Sequence, residues 1–249
     1  MTEAITEDAL ENGALVLQQH KHGYRFNLDA VLLAHFAMAA RAASRPASVL
    51  DLGTGCGVIA LLLKHHRTEW QVEALELQPA LAGLAAGNAD RNRLEVPIHI
   101  GDLREPPAEW RGRWKLVVSN PPYFSADSGH VSETGEKALA RHDATAKPEE
   151  LARALRFLLS GDGAGCVVYP AARLGTLLVA CAAERLSVTR LCCVHPRLDA
   201  AAGVALVEVR PRSKRPLVVM PPLVVHAPEG GYSAAVRAML GRGDAIAEE

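Results

Sequence analysis

From Ser48 onward, short apolar runs alternate with helix-like stretches, and this alternation restricts the chain to α/β architectures built on a parallel sheet. SVLDL (48–52) reads as a buried strand, VIALLLKHH (58–66) as a helix, QVEALEL (71–77) as a second strand and PALAGLAAGNADRNRL (79–94) as a second helix. PIHIGD (97–102) is a third strand, and KLVVSNPPYF (115–124) is a fourth that ends in a proline-rich turn. Further along, a helix is expected over 148–159, a strand over GAGCVVY (163–169) and a helix over about 171–185. LSVTRLCCVHP (186–196) and GVALVEVRP (203–211) read as two more strands, LVVMPPLVVH (217–226) as extended chain and YSAAVRAMLG (232–241) as a short helix.

Two segments depart from the rhythm. Residues 1–27 are polar and mixed, and an Ala/Leu-rich helix follows over 28–40 with Asn27 at its capping position. The break at 44–46 divides an N-terminal extension (1–45) from the main domain (46–249), and 249 residues suit one large α/β domain. Residues 125–147 are rich in Gly, Ser, Asp and Thr, lack periodicity and are too long for a routine connection, so they read as a functional or a mobile loop.

Composition excludes several classes. Hydrophobic residues make up 49% and charged residues 22%, which rules out a disordered chain, collagen or a coiled coil. The net charge is -1, so any nucleic-acid contact must come from a local patch. Short basic runs at 21–25 and 210–215 are the candidates. The five cysteines form no C-x-x-C pair, and no H-E-x-x-H spacing occurs, so reduced core thiols and no metal centre are expected. No apolar run reaches the ~18–20 residues of a membrane span, and the acidic N-terminus lacks the features of a secretory signal. A soluble, cytoplasmic protein is expected.

The first chemical signal is Asp51-Leu-Gly53-Thr54-Gly55-Cys-Gly57, which ends the first of these strands and opens a helix. Glycines let the chain turn tightly and let a ligand approach the backbone. The spacing departs from the G-x-G-x-x-G of dinucleotide sites, and Asp51 would repel a pyrophosphate while suiting a cationic amine. Glu76 ends the next strand, where an acidic residue accepts hydrogen bonds from ribose hydroxyls. Asp102 follows the third strand and is placed to meet an adenine amino group. Each feature alone is common in strand-end turns. Together, in this order, they point to a cofactor that contains a nucleoside.

The second signal is Asn120-Pro121-Pro122-Tyr123-Phe124 at the end of the fourth strand. Two prolines stiffen the turn and remove two N–H donors. What remains are acceptors, the Asn120 side-chain oxygen and the Pro121 carbonyl, beside the flat faces of Tyr123 and Phe124. A planar group that bears an NH2 fits such a set, with its two hydrogens held and its face stacked. Holding those hydrogens draws the nitrogen out of conjugation and exposes its lone pair.

With these motifs in this order, the chain resembles class I S-adenosylmethionine-dependent methyltransferases over roughly residues 48–210. The resemblance implies a Rossmann-like α/β fold, with a seven-stranded, mostly parallel sheet and helices on both faces. It implies a cofactor site of Asp51, Gly53, Thr54, Gly55, Gly57, Glu76, Asp102 and Asn120, and an amine-methylating segment of Asn120, Pro121, Pro122 and Tyr123. A narrower similarity joins QQHKHGYRFNLDAVLLAHF (18–36) and ARHD (140–143) to bacterial enzymes that methylate the N6 amine of adenine beside the anticodon of valine tRNA. That similarity implies that 24–29, in the N-terminal extension, close over the cofactor. It also implies that Arg141 and His142 sit near the target with Tyr123 and Phe124.

The reaction implied is in-line methyl transfer to nitrogen on a base flipped out of folded RNA, most simply tRNA. No obligatory general base is expected, because the methylated nitrogen becomes acidic after attack; His142 is either a candidate to take that proton or an ordinary surface or core histidine. Two alternatives stand beside this reading. One is N5-methylation of a protein glutamine, which predicts a separate helical N-terminal domain. The other is a cofactor-binding homologue without catalysis, which would have no need of the Asn120 acceptors.

Overall fold

The computed structural model describes residues 5–21, 27–40, 47–121 and 146–241. The central sheet holds β3 (Ser48–Leu52), β4 (Gln71–Glu76), β5 (Ile98–Ile100), β6 (Trp114–Ser119), β7 (Leu159–Pro170), β8 (Leu186–His195) and β9 (Val204–Pro211). Two-residue strands β10 (Val218–Val219) and β11 (Leu223–Val224) pair with β8, giving the spatial order β10-β8-β9-β7-β6-β3-β4-β5 with β11 beside β8. The sequence reading expected seven strands; the two extra ones come from the extended tail at 217–226. β9 runs antiparallel between β7 and β8, and the other pairings in this sheet are parallel. The order reverses between β3 and β6, which makes their carboxyl ends the crevice where open α/β sheets take ligands.

Both faces of the sheet are buried, as a parallel sheet requires. Side chains alternate: Val49, Leu116, Val118, Cys166 and Leu206 enter one core, while Leu50, Leu52, Val117, Val167 and Val207 enter the other. Helices α1 (Leu28–Met38), α2 (Val58–His66), α3 (Pro79–Arg91) and α6 (Ala234–Met239) contribute to the first core. Helices α4 (Pro148–Leu158) and α5 (Leu174–Ala183) contribute to the second. The helix expected over 171–185 is split, with a 3-10 turn at Ala171–Arg173 before α5. Asn27 stands at the N-cap of α1, but its side chain donates to Asp29 (2.8 Å) rather than capping the helix. α1 is buried on nearly all sides, so it is a core helix of this layer. Four of the five cysteines are buried and all are free, matching the expectation of core thiols.

The N-terminal segment, read from the sequence only as polar and mixed, contains regular structure. β1 (Ile5–Leu10) and β2 (Leu15–His20) form an antiparallel hairpin. Its turn, Glu11-Asn12-Gly13, holds three consecutive positive φ values (51°, 53° and 88°). Asn-Gly between alternating runs is a hairpin signal, because both residues tolerate the left-handed region.

The basic run at 210–215 also differs from a free phosphate grip. Arg210 is anchored: its Nε meets Glu208 Oε1 (2.6 Å), and its guanidinium donates to the carbonyls of Asp162 and Ala40. Because β9 is antiparallel, the residues after Pro211 leave the sheet at the amino ends of the parallel strands, opposite the crevice. Arg212, Arg215 and Ser213 line a shallow surface cleft there with Gly161 and Asp162.

Candidate active site

Asp51, the penultimate residue of β3, lies between Ala74 of β4 and Val118 of β6 and is fully buried. Its Oδ2 accepts from Thr54 Oγ1 (2.6 Å) and from the Ala60 amide (3.1 Å), tying the glycine loop to the first turn of α2. Oδ1 has no partner among the described residues, and an acceptor of this kind suits a donor group on a ligand. Burial pushes the Asp51 carboxyl up to about 7, with the nearby Glu76 charge adding to the rise and the two hydrogen bonds opposing it. The native state therefore holds a proton between pH 4 and 7 that the unfolded chain releases, and this contribution to stability falls as pH rises through that window. Asp51→Asn is expected to gain stability relative to the parent across pH 4–7 and to level off above it. Parallel denaturant melts of the two cofactor-free proteins would show this as a widening difference in midpoint, and a difference independent of pH would refute it.

The loop itself is built for close approach. Gly53, Gly55 and Gly57 all have positive φ (78°, 60° and 93°), which L side chains rarely adopt. The amides of Gly53 and Thr54 donate to the Leu75 carbonyl (2.8 and 3.0 Å), which joins the loop to β4. Space over Gly53 is open, whereas a Cβ on Gly57 would lie 3.2 Å from the Ala85 side chain of α3. Gly57 thus serves helix packing, and Gly53 leaves room for a ligand.

Glu76 is nearly buried at the end of β4. Oε2 accepts from the Gly55 amide (2.8 Å) and Oε1 from the Gln78 amide (2.9 Å). Each carboxylate oxygen keeps a second lone-pair site, so both can still accept from a pair of ribose hydroxyls. Asp102 lies beyond β5 and is engaged by Arg104, whose Nε sits 2.8 Å from Oδ2 while its backbone amide meets Oδ1 at 2.8 Å. The Arg104 hydrogen bonds hold its carboxyl below the usual range. Sequence reasoning missed Arg104; an Arg two residues after a strand-end Asp was the available signal.

Asn120 and Pro121 follow β6 and are buried. Ser119, fully buried, donates its hydroxyl to the Leu52 carbonyl (2.8 Å), which fixes the end of β6 against the end of β3. That bond sets Asn120 beside the start of the glycine loop. Sequence reasoning also missed Ser119. Pro122, Tyr123, Phe124, Arg141 and His142 lie outside the described residues, as do 24–26 of the segment 24–29 expected to close over the cofactor and most of the 125–147 loop.

The residues present fit S-adenosylmethionine: an open glycine turn, a carboxylate with free lone pairs for a ribose, an orphaned buried acceptor and an amide at the adjoining strand end. Among the described residues one His/carboxylate cluster lies elsewhere. Glu11, His35 and His66 join the hairpin turn to α1 and α2, with His66 Nε2 at 3.0 Å from Glu11 and His35 Nε2 at 2.9 Å from the Met239 carbonyl.

Residues 28–144 match the methyltransferase small domain family. The chain is 32% identical over 218 residues to the tRNA1(Val) (adenine(37)-N6)-methyltransferase of Porphyromonas gingivalis, an alignment covering 84% of each chain. It is 27% identical to the enzyme of the same name from Vibrio cholerae, covering 86% of this chain and 85% of that one. Among solved structures, a predicted O-methyltransferase from Agrobacterium tumefaciens aligns with a TM-score of 0.67 at 19% identity, over 86% of this chain and 96% of that one, and shares the fold.

Proposed function

This chain belongs to the family of bacterial tRNA1(Val) adenine-37 N6-methyltransferases, and on that premise we propose that it methylates the exocyclic N6 amine of an adenine in tRNA. The observation that carries the reading is the placement of Asn120 and Pro121 at the end of β6, locked by the Ser119–Leu52 bond beside the glycine loop. When bound, S-adenosylmethionine supplies an electrophilic methyl group, so the protein's task is orientation. Glu76 would hold the ribose hydroxyls, Asp102 would lie toward the adenine of the cofactor, and the loop from Gly53 to Gly57 would seat its backbone. The Asn120 oxygen and the Pro121 carbonyl would accept the two hydrogens of the substrate amine, and Tyr123 and Phe124 would stack on the flipped base. Arg141 and His142 would lie on the substrate side. We read residues 1–45 as an extension that borders the cofactor loop and 46–249 as the catalytic domain. The setting is read as cytoplasmic; in the described residues no helix is long and apolar enough to cross a membrane.

The glutamine alternative remains the competing substrate; the described residues before β3 form a hairpin and one core helix. Labelled methyl transfer into total tRNA and, separately, into total protein from cells lacking the enzyme tests the reading. Label recovered as N6-methyladenosine supports it, and label recovered as methylglutamine overturns it.

Glu76→Ala is expected to weaken cofactor binding about tenfold or more, through loss of the ribose acceptors and of the Gly55 tether. Titration calorimetry checks this, and unchanged affinity would mean that the cofactor lies elsewhere.

A further inference from the structure

Two asparagines one helical turn apart, Asn88 on α3 and Asn92 at its C-cap, act as a substitute strand. Asn92 accepts from the Val16 amide through Oδ1 (2.9 Å) and donates to the Val16 carbonyl through Nδ2 (2.8 Å). Asn88 repeats the pattern on Gln18, accepting from its amide (2.7 Å) and donating to its carbonyl (2.9 Å). Val16 and Gln18 alternate along β2, and β1 occupies the other edge of that strand. The side-chain amides therefore satisfy an edge that would otherwise lie unpaired against a helix. Spacing of i, i+4 on a helix brings the two amides into line on one face.

Asn92 Nδ2 makes its second bond back to the Asn88 carbonyl (2.7 Å), within the helix end, and Asn88 differs in where its own second bond goes. Its Nδ2 also donates to the carbonyl of Cys56 (2.9 Å), inside the glycine loop, and the residue is almost fully buried. One turn earlier on the same helix, Ala85 is the residue that closes against Gly57. The N-terminal hairpin, α3 and the cofactor loop thus meet at a single side chain.

We propose that Asn88 is a positioning residue for the cofactor: it fixes the second half of the glycine loop through Cys56 and couples that loop to the docked hairpin. The proposal rests on the reading of residues 53–57 as the S-adenosylmethionine site. Asn92 supplies the control, because it clamps the same hairpin without touching the loop.

The experiment compares Asn88→Ala, Asn92→Ala and the parent by thermal melting, by calorimetric Kd for S-adenosylmethionine and by KM and kcat with tRNA. Both variants are expected to lower Tm, since both release the hairpin. Only Asn88→Ala is expected to raise the cofactor Kd and KM, by about tenfold, with Asn92→Ala within about twofold of the parent. Asn88→Ser, smaller and neutral with one donor, is the variant to read if alanine prevents folding; its Kd is expected to exceed that of Asn92→Ala. Equal Kd changes in the Asn88 and Asn92 variants, or none, overturn the proposal. Glu76→Ala in the same series separates the two levels: if it too binds the cofactor normally, the location of the site is wrong rather than the role of Asn88.

Discussion

Asn120→Ala is expected to lower kcat by about 10²- to 10³-fold while the Kd for S-adenosylmethionine moves by less than about threefold. The side chain is buried at the end of β6, and the Ser119–Leu52 bond fixes the strand on which it sits. The proposed role is to accept a hydrogen of the substrate amine, which aligns the nitrogen lone pair with the methyl group. Removing the acceptor leaves the amine conjugated with its ring and free to rotate out of line. Asn120→Asp should recover only part of the rate, because it keeps an oxygen acceptor but adds a charge to a buried place. Single-turnover measurements isolate the chemical step. Parent-like turnover in the alanine variant would remove Asn120 from the mechanism, whereas a large loss of cofactor affinity would leave it only the cofactor-binding half of the double role that the resemblance implies.

The second large effect is on stability. Glu208, on β9, is almost fully buried and takes Arg190 Nε at Oε2 (2.5 Å), Arg210 Nε at Oε1 (2.6 Å) and the Thr189 hydroxyl at Oε1 (2.9 Å). The arginines continue outward to the Phe36 carbonyl (2.9 Å) and the Ala40 carbonyl (3.0 Å) at the end of α1, and the Arg190 guanidinium lies 4.3 Å from the Phe36 ring centre. The network therefore bolts α1 to the antiparallel strand β9 and its neighbour β8. Burial alone would raise the Glu208 carboxyl, but the hydrogen bonds and charges of the two arginines outweigh it and hold it below the usual range. Glu208→Ala leaves two guanidinium groups in a half-buried place without their anion. The expected cost is about 3–5 kcal/mol, or a Tm lower by roughly 10 °C. Glu208→Gln keeps the acceptor oxygen and should lose less. A Tm within about 2 °C of the parent in the alanine variant would mean that water replaces the anion and that the network contributes little.

Much of this was legible in the sequence for a physical reason. Strands buried on both faces leave apolar runs with glycine-rich turns between them, so β3, α2 and β4 appear almost residue for residue. Asp51, Glu76, Asp102 and Asn120 stand at strand ends because those ends carry the ligand side of an open sheet. What the sequence hid were contacts between segments distant along the chain. The amides on Asn88 and Asn92 gave no signal, because a polar residue on a helix usually faces water, and only the docked hairpin shows their use. The hairpin did carry its Asn-Gly turn, but its alternating polar face masked the strands on either side. Arg210 read as part of a surface run, and burial of Glu208 turned it into a structural cation. Asp102 read as an acceptor for an adenine amino group, and the neighbouring Arg104 takes part of its capacity.

The most direct test of the central claim uses an unmodified valine tRNA transcript and a second transcript with guanine in place of adenine 37. Each is incubated with the enzyme and S-adenosylmethionine, digested and measured by mass spectrometry. The account predicts close to one N6-methyladenosine per molecule in the first transcript and none in the second. Equal methylation of both transcripts, or a methyl group on any atom other than an adenine N6, would contradict it.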